Sequence, residues 1–225
     1  MSKRAVFVDR DNTIIHNDGD LGDPQQLRLI QGASSAIAAL QGLGFMVVVV
    51  SNQGGVARGK YTEADVDKVN QRIAELVFQQ TAARIEQFYY CPFHPEGTVE
   101  KYRREHPWRK PNPGMLQQAA KDLDLDLTWS WMIGDQWRDI QAGVAAGVRT
   151  VLLTDPTARK LPLAGPTVPD KPDDVNVEPD HYATNLIEAV RLIAQAPRPD
   201  LAEREAVEPP PPAKEMESDS QGSTE

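Results

Sequence analysis

The chain has 225 residues, 40% of them apolar and 25% charged, with 33 acids against 24 bases and a formal net charge of −9. That is enough apolar material for one medium core. The single Cys excludes an internal disulfide framework and a multi-cysteine zinc site, and the acidic balance argues against a surface built to bind phosphate backbones. The longest apolar run, Phe45 to Val50, has six residues against the roughly 20 that a membrane helix needs. The first apolar stretch stops at Asp9, too soon for a signal peptide, so a cytoplasmic protein with no membrane or nucleic-acid partner is expected.

In chain order, Ala5 to Val8 is a short apolar run ending in acids, which predicts a buried strand whose end meets solvent. Residues 33–43 place apolar side chains at helical spacing and stop at Gly44. Phe45 to Val50, rich in β-branched residues, reads as a second buried strand. Thr62 followed by acids is an N-cap signature for a helix running to about Thr81. Ile85 to Tyr90 is a third strand, and the following stretch from Pro92 to Lys110 is a long connection of the kind that is functional or disordered in compact domains. Pro113 opens a helix ending near Leu123. A strand at Trp131 to Ile133 precedes Gly134-Asp135; a helix over 139–146 stops at Gly147, a strand covers 148–153, and a last amphipathic helix covers 185–195. From Pro197 to Glu225 there are eight acids, three bases and the run Pro209 to Pro212, with little to bury; this predicts a disordered acidic tail on a folded body of residues 1–196 whose own charge is −4.

Strand–helix alternation of this kind predicts an α/β fold: a three-layer, doubly wound, Rossmann-like and mostly parallel sheet with helices on both faces. Ligands of such sheets bind at the carboxyl ends of the strands. The polar clusters fall there: Asp9-Arg10-Asp11, Ser51-Asn52-Gln53 and Gly134-Asp135 each follow a predicted strand. Asp9 and Asp11, two apart on an extended chain, project to one side while Arg10 projects away. Two carboxylates so close repel unless a cation or a proton lies between them.

Asp9-Arg10-Asp11-Asn12-Thr13, Val49-Val50-Ser51-Asn52-Gln53, Arg109-Lys110-Pro111 and Ile133-Gly134-Asp135-Gln136-Trp137-Arg138-Asp139 together resemble the four motifs of the haloacid dehalogenase-like phosphatases, in order and at the expected strand ends. The resemblance implies a Mg²⁺-dependent phosphomonoester hydrolase acting on a small phosphorylated metabolite, expected to be a monomer. It implies Asp9 as the nucleophile that forms an aspartyl phosphate. Asp11 would protonate the leaving oxygen and then activate water, which calls for a raised pKa. Ser51 would hydrogen-bond the phosphoryl group and Lys110 would offset its charge. Mg²⁺ would be held by Asp9, Asp135 and the backbone carbonyl of Asp11, with Asp139 in a secondary role, orienting water or Lys110. Asn12 departs from the usual Gly, but Asn tolerates a left-handed backbone.

The stretches Ser51 to Thr62, Tyr90 to Pro95 and Arg109 to Met115 further resemble the D-glycero-D-manno-heptose 1,7-bisphosphate 7-phosphatases, near relatives of the histidinol-phosphate phosphatases. On that resemblance Thr13, Asn52, Gln53, Arg58 and Arg109 are the substrate contacts, with Gln53, Arg58 and Arg109 meeting hydroxyls and a second phosphate. The alternatives are a phosphatase for histidinol phosphate or another small metabolite, and a non-catalytic phosphate-binding module. Many members of that branch hold zinc in the long loop, but here Phe93 stands where a His ligand would be. Cys91, His94 and His106 are the only weak candidates left, so a zinc-free loop packed on Phe93 and Trp108 is expected.

Overall fold

The computed structural model describes residues 3–154 and 168–197, so the acidic tail, apart from its first residue, lies outside the described residues. Six strands, β1 (Ala5–Val8), β2 (Met46–Asn52), β3 (Gln87–Cys91), β4 (Trp131–Gly134), β5 (Arg149–Leu153) and β6 (His181–Ala183), form one sheet in the order β3-β2-β1-β4-β5-β6. Every pairing is parallel. Five helices connect or follow them: α1 (Ala33–Gly42), α2 (Glu63–Thr81), α3 (Gly114–Leu123), α4 (Trp137–Ala146) and α5 (Leu186–Gln195). The expected doubly wound α/β fold is therefore the observed one.

The strands read as continuous apolar runs because both of their faces are covered. Period-2 alternation divides them between two cores. Val6, Val8, Val47, Val49, Ile133 and Val151 pack with α1, α2 and α5 on one side; Ala5, Phe7, Val48, Val50 and Met132 pack with α3 and α4 on the other. The first turn of α2 is fixed by Thr62, whose hydroxyl accepts from Asp65 N while Thr62 N donates back to the Asp65 carboxylate at 3.0 Å. β6 was not anticipated: it is three residues long with one buried side chain, too little pattern to read, and it exists by pairing with β5.

The chain runs outward from β1 to β2 and β3, then returns to β4 on the other side of β1. This reversal opens a crevice beyond the carboxyl ends of β1 and β4. The register pairs Val8 with Ile133, and Asp9 N donates to the Ile133 carbonyl at 2.9 Å, so Asp9 and Asp135 emerge side by side. The long loop after β3 is ordered by aromatic packing: Phe93 stacks on His106 at 4.4 Å, meets Tyr102 edge-on and lies under Arg104, while Trp108 packs edge-on against Tyr89. None of the helices of the described residues is long and apolar enough to cross a membrane.

Candidate active site

At the ends of β1 and β4 stand three acids, Asp9, Asp135 and Asp139, with carboxylate oxygens within 4.8 Å of one another and all three residues buried. Lys110 pairs with two of them, Asp9 and Asp139, and Arg138 acts on Asp135. Lys110 Nζ lies 2.6 Å from Asp9 Oδ1, 2.6 Å from Asp139 Oδ1 and 2.9 Å from the Val50 carbonyl. Burial works against its charge, but Asp139 and Asp9 outweigh that and hold its pKa above the usual amine range. Burial pushes Asp9 up to about 7, against the pull of Lys110 and with Asp139 and Asp135 adding to the rise. Asp135 is pushed up to about 6, first by burial and then by Asp139.

Asp139, given only a secondary role from its sequence position, is wholly buried and does two jobs. One oxygen pairs with Lys110, and the other accepts from Gln136 N at 3.1 Å, closing the first turn of α4. Gly134 is required by that arrangement, because a Cβ there would overlap the Asp139 carboxylate. Asp135 gives one oxygen to the Gln136 amide at 2.9 Å, while its other oxygen is buried with no hydrogen-bond partner. Three clustered acids, one lysine and an orphaned carboxylate oxygen match a hard divalent cation such as Mg²⁺ in charge and donor type.

Asp11 stands in the opposite environment. Its Oδ1 accepts from Arg10 Nε and Nη2 at 3.3 and 3.1 Å and from Asn17 Nδ2 at 2.7 Å; its Oδ2 accepts from Ser51 Oγ at 3.1 Å and Gln53 Nε2 at 2.7 Å. Burial alone would raise its pKa, but the Arg10 charge and the hydrogen bonds from Arg10, Asn17 and Gln53 hold it below the usual carboxylate range. This corrects the expectation of a raised value. Arg10 also departs from expectation: instead of projecting away, it is fully buried and its guanidinium folds back onto Asp11.

The structure redistributes the other predicted roles. Ser51 and Gln53 are bound to Asp11 and to each other, at 2.7 Å, and Gln53 Oε1 accepts from Arg10 and Tyr61. Asn52 clamps the Lys110 backbone through two hydrogen bonds of 2.9 Å. Thus Gln53 and Asn52 line the cavity, where substrate contacts were expected, and also position other site residues. Thr13 is completely buried and is not among the residues that line the cavity. Asn12 adopts the expected left-handed backbone, at φ 58°.

The cavity, about 280 Å³, opens beside Asp9 and Asp11 and is also lined by Arg58 and Arg138. Arg58 pairs with Asp20 at 2.7 Å. Arg109 is half-buried, donates to the Phe93 carbonyl at 3.4 Å and meets Arg58 beside Gly54, where a Cβ would lie 3.1 Å from Arg58 Nη1 and 3.6 Å from Arg109 Nη1. Cys91, His94 and His106 are held separately. The Cys91 thiol, its pKa pushed up by burial, faces the Phe93 carbonyl; His94 Nδ1 accepts from Glu96 N, and His106 Nδ1 from Trp108 N. Among the described residues the one group of three or more possible metal-ligating side chains is Asp9, Asp135 and Asp139.

Sequence reasoning missed Arg10, Asn17, Tyr61, Gln136 and Arg138 as site residues. Arg138 was within sight, since it sits three residues after Asp135 at the start of a helix. Asn17 and Tyr61 carried no signal, because their roles depend on loops returning to the strand ends.

Comparison with known proteins places the chain in a family. A HAD-hydrolase-like family model matches residues 107–189. The chain is 40% identical over 176 residues to the D-glycero-alpha-D-manno-heptose-1,7-bisphosphate 7-phosphatase of Burkholderia mallei, covering 78% of this chain and 93% of that protein. It is 40% identical over 149 residues to the D-glycero-beta-D-manno-heptose-1,7-bisphosphate 7-phosphatase of Escherichia coli (strain K12), covering 66% and 78%. The crystal structure of a D,D-heptose 1,7-bisphosphate phosphatase from B. bronchiseptica, complexed with magnesium and phosphate, matches with a TM-score of 0.67 and 26% identity over 86% of this chain and 98% of that one. The chain is a phosphatase, and it belongs to the haloacid dehalogenase-like hydrolases, in the family of the heptose 1,7-bisphosphate 7-phosphatases.

Proposed function

We propose that the protein removes the 7-phosphate of D-glycero-D-manno-heptose 1,7-bisphosphate through a phosphorylated Asp9. The observation that supports a bisphosphate is the approach of Arg109 to Arg58 and Arg138, two residues of the cavity that opens beside Asp9. Arg58 and Arg138 line it, and burial, Arg138 and Arg58 work together to lower the pKa of Arg109, against the opposing pull of Cys91 and Glu105. Among the described residues Arg58 forms an ion pair with Asp20, and a second, non-reacting phosphate would be a further partner for these guanidinium groups.

Asp9 attacks phosphorus, the bond to the leaving sugar oxygen breaks, and that oxygen takes its proton from Asp11. Asp11 then removes a proton from water, whose oxygen attacks phosphorus, freeing inorganic phosphate and the Asp9 carboxylate. Asp11 is an anion in the resting site; a dianionic phosphoryl group entering beside it raises its proton affinity, as any like charge does, and Asp11 takes up from solvent the proton it then hands to the leaving oxygen. Asp9, Asp135 and the Asp11 carbonyl would hold Mg²⁺, which when bound supplies positive charge to the phosphoryl oxygens. Lys110, seated between Asp9 and Asp139, offsets their mutual repulsion, and Asn52 keeps the Lys110 backbone in place.

The test is a panel of both anomers of the heptose bisphosphate, the heptose 7-phosphate, other sugar phosphates and histidinol phosphate, each with Mg²⁺ and with EDTA. The bisphosphate should give the highest kcat/KM, and EDTA should abolish turnover. Arg109→Ala should raise KM about tenfold for the bisphosphate, the loss of one charge-assisted hydrogen bond, and by much less for the monophosphate. An equal rise for both would remove the case for a second phosphate subsite.

A further inference from the structure

Helix α2 buries Val66, Val69, Asn70, Ile73 and Val77 on one face. Four of these are β-branched and apolar, and the fifth is Asn70, 6% exposed and in register with them. A polar side chain in that position costs free energy unless it is hydrogen-bonded. Its Oδ1 accepts from Arg10 Nη1 at 3.2 Å. Arg10 is itself fully buried, and its remaining donors reach Asp11 twice and Gln53 once, at 2.8 Å to Gln53 Oε1. Gln53 in turn donates to the other oxygen of Asp11. The Arg10 fork thus grips one Asp11 oxygen directly and orients, through Gln53, the donor that grips the other. Asn70 braces the far side of the fork from a helix that supplies no group to the cavity.

We propose that Arg10, braced by Asn70, is a positioning residue for Asp11: it fixes the carboxyl group that must hand its proton to the leaving oxygen. This rests on the reading of Asp11 as general acid. A planar fork held at three corners is preorganised in a way that a lone lysine or a solvated arginine is not. Positioned proton transfer accounts for about 10²–10⁴-fold in rate, so loosening the holder should forfeit part of that range and nothing in ground-state binding.

The experiment compares kcat/KM, which reports steps through phosphoryl transfer to Asp9, for an alkyl phosphate (the heptose bisphosphate) and for p-nitrophenyl phosphate. The aryl leaving group departs with little need of a proton; the alkyl one needs it. Arg10→Met, Asn70→Leu and Asp11→Asn are measured beside the parent, with thermal unfolding to follow the fold. Arg10→Met should lower kcat/KM for the alkyl substrate about 100-fold and for the aryl substrate less than about fivefold. Asn70→Leu, which removes one hydrogen bond and keeps the fork's charge, should lower the alkyl value about fivefold and leave the aryl value and KM unchanged. If Arg10→Met does not fold, Asn70→Leu carries the test alone. Equal losses on both substrates, or no loss, while Asp11→Asn still lowers the alkyl-to-aryl ratio, would overturn the role of Arg10 and leave Asp11 as the acid. If Asp11→Asn also leaves that ratio unchanged, both assignments fall.

Discussion

Asp9 and Asp11 are the same residue type two positions apart, yet they sit in opposite surroundings. Asp9 shares a dry corner with two more acids and a single lysine, and burial pushes it up to about 7. Asp11 accepts five hydrogen bonds, two of them from a buried guanidinium, and is held below the usual carboxylate range. One half of the site is short of positive charge and the other is saturated with donors. On the proposed mechanism the acid-rich half would receive a cation and a phosphoryl group, and the donor-rich half would hold one carboxyl group still.

Three measurements can break or sharpen that contrast. The largest effect belongs to Asp9→Asn, which should reduce turnover by roughly 10⁴–10⁶-fold, as loss of a nucleophile does, and abolish acid-stable phosphate labelling of the chain. Persistent labelling in the variant would move the nucleophile elsewhere. Next, Lys110→Met leaves Asp9 and Asp139 buried without their shared cation, so unfolding by urea at pH 8 should show a loss of about 3–5 kcal/mol. The loss should shrink at pH 5, where Asp9 takes up a proton; an unchanged midpoint at both pH values would mean that the lysine is not the counter-charge.

The smallest effect is the pH dependence of metal-free stability. Asp9 and Asp135 have folded-state pKa values raised above the ordinary 3.8, to about 7 and about 6. The folded state therefore binds more protons than the unfolded one between those values, and the stability these groups contribute is complete below about 4 and lost as pH rises through 6 and 7. In EDTA the Tm should fall between pH 5 and pH 8, and added Mg²⁺ should raise it more at pH 8 than at pH 5. A Mg²⁺ shift independent of pH would contradict the charge shortage in the acid-rich half.

Much of the fold was legible because its strands are buried on both faces. The runs at Ala5 to Val8 and Phe45 to Val50 and the Thr62 cap announce themselves locally, and the observed elements fall within a few residues of the expected ones. The short β6 was not legible, because its pattern consists of pairing and not of composition. In the site, Asp9, Lys110 and Asp135 were readable from motif and strand end, and their assembly follows from the sheet register. The task of Asn52 was not readable: its partner, the Lys110 backbone, is 58 residues away.

By itself the sequence determined the alternation of strand and helix and the strand ends that carry the acids, since these depend on neighbours a few positions apart. Only the tertiary structure decided that Asp139 faces Lys110, that Arg10 turns inward and that Asp11 is held as an anion. The reason is physical: a carboxyl group's proton affinity is set by charges and donors a few ångströms away in space, and those arrive from four separate stretches of chain that only folding brings together.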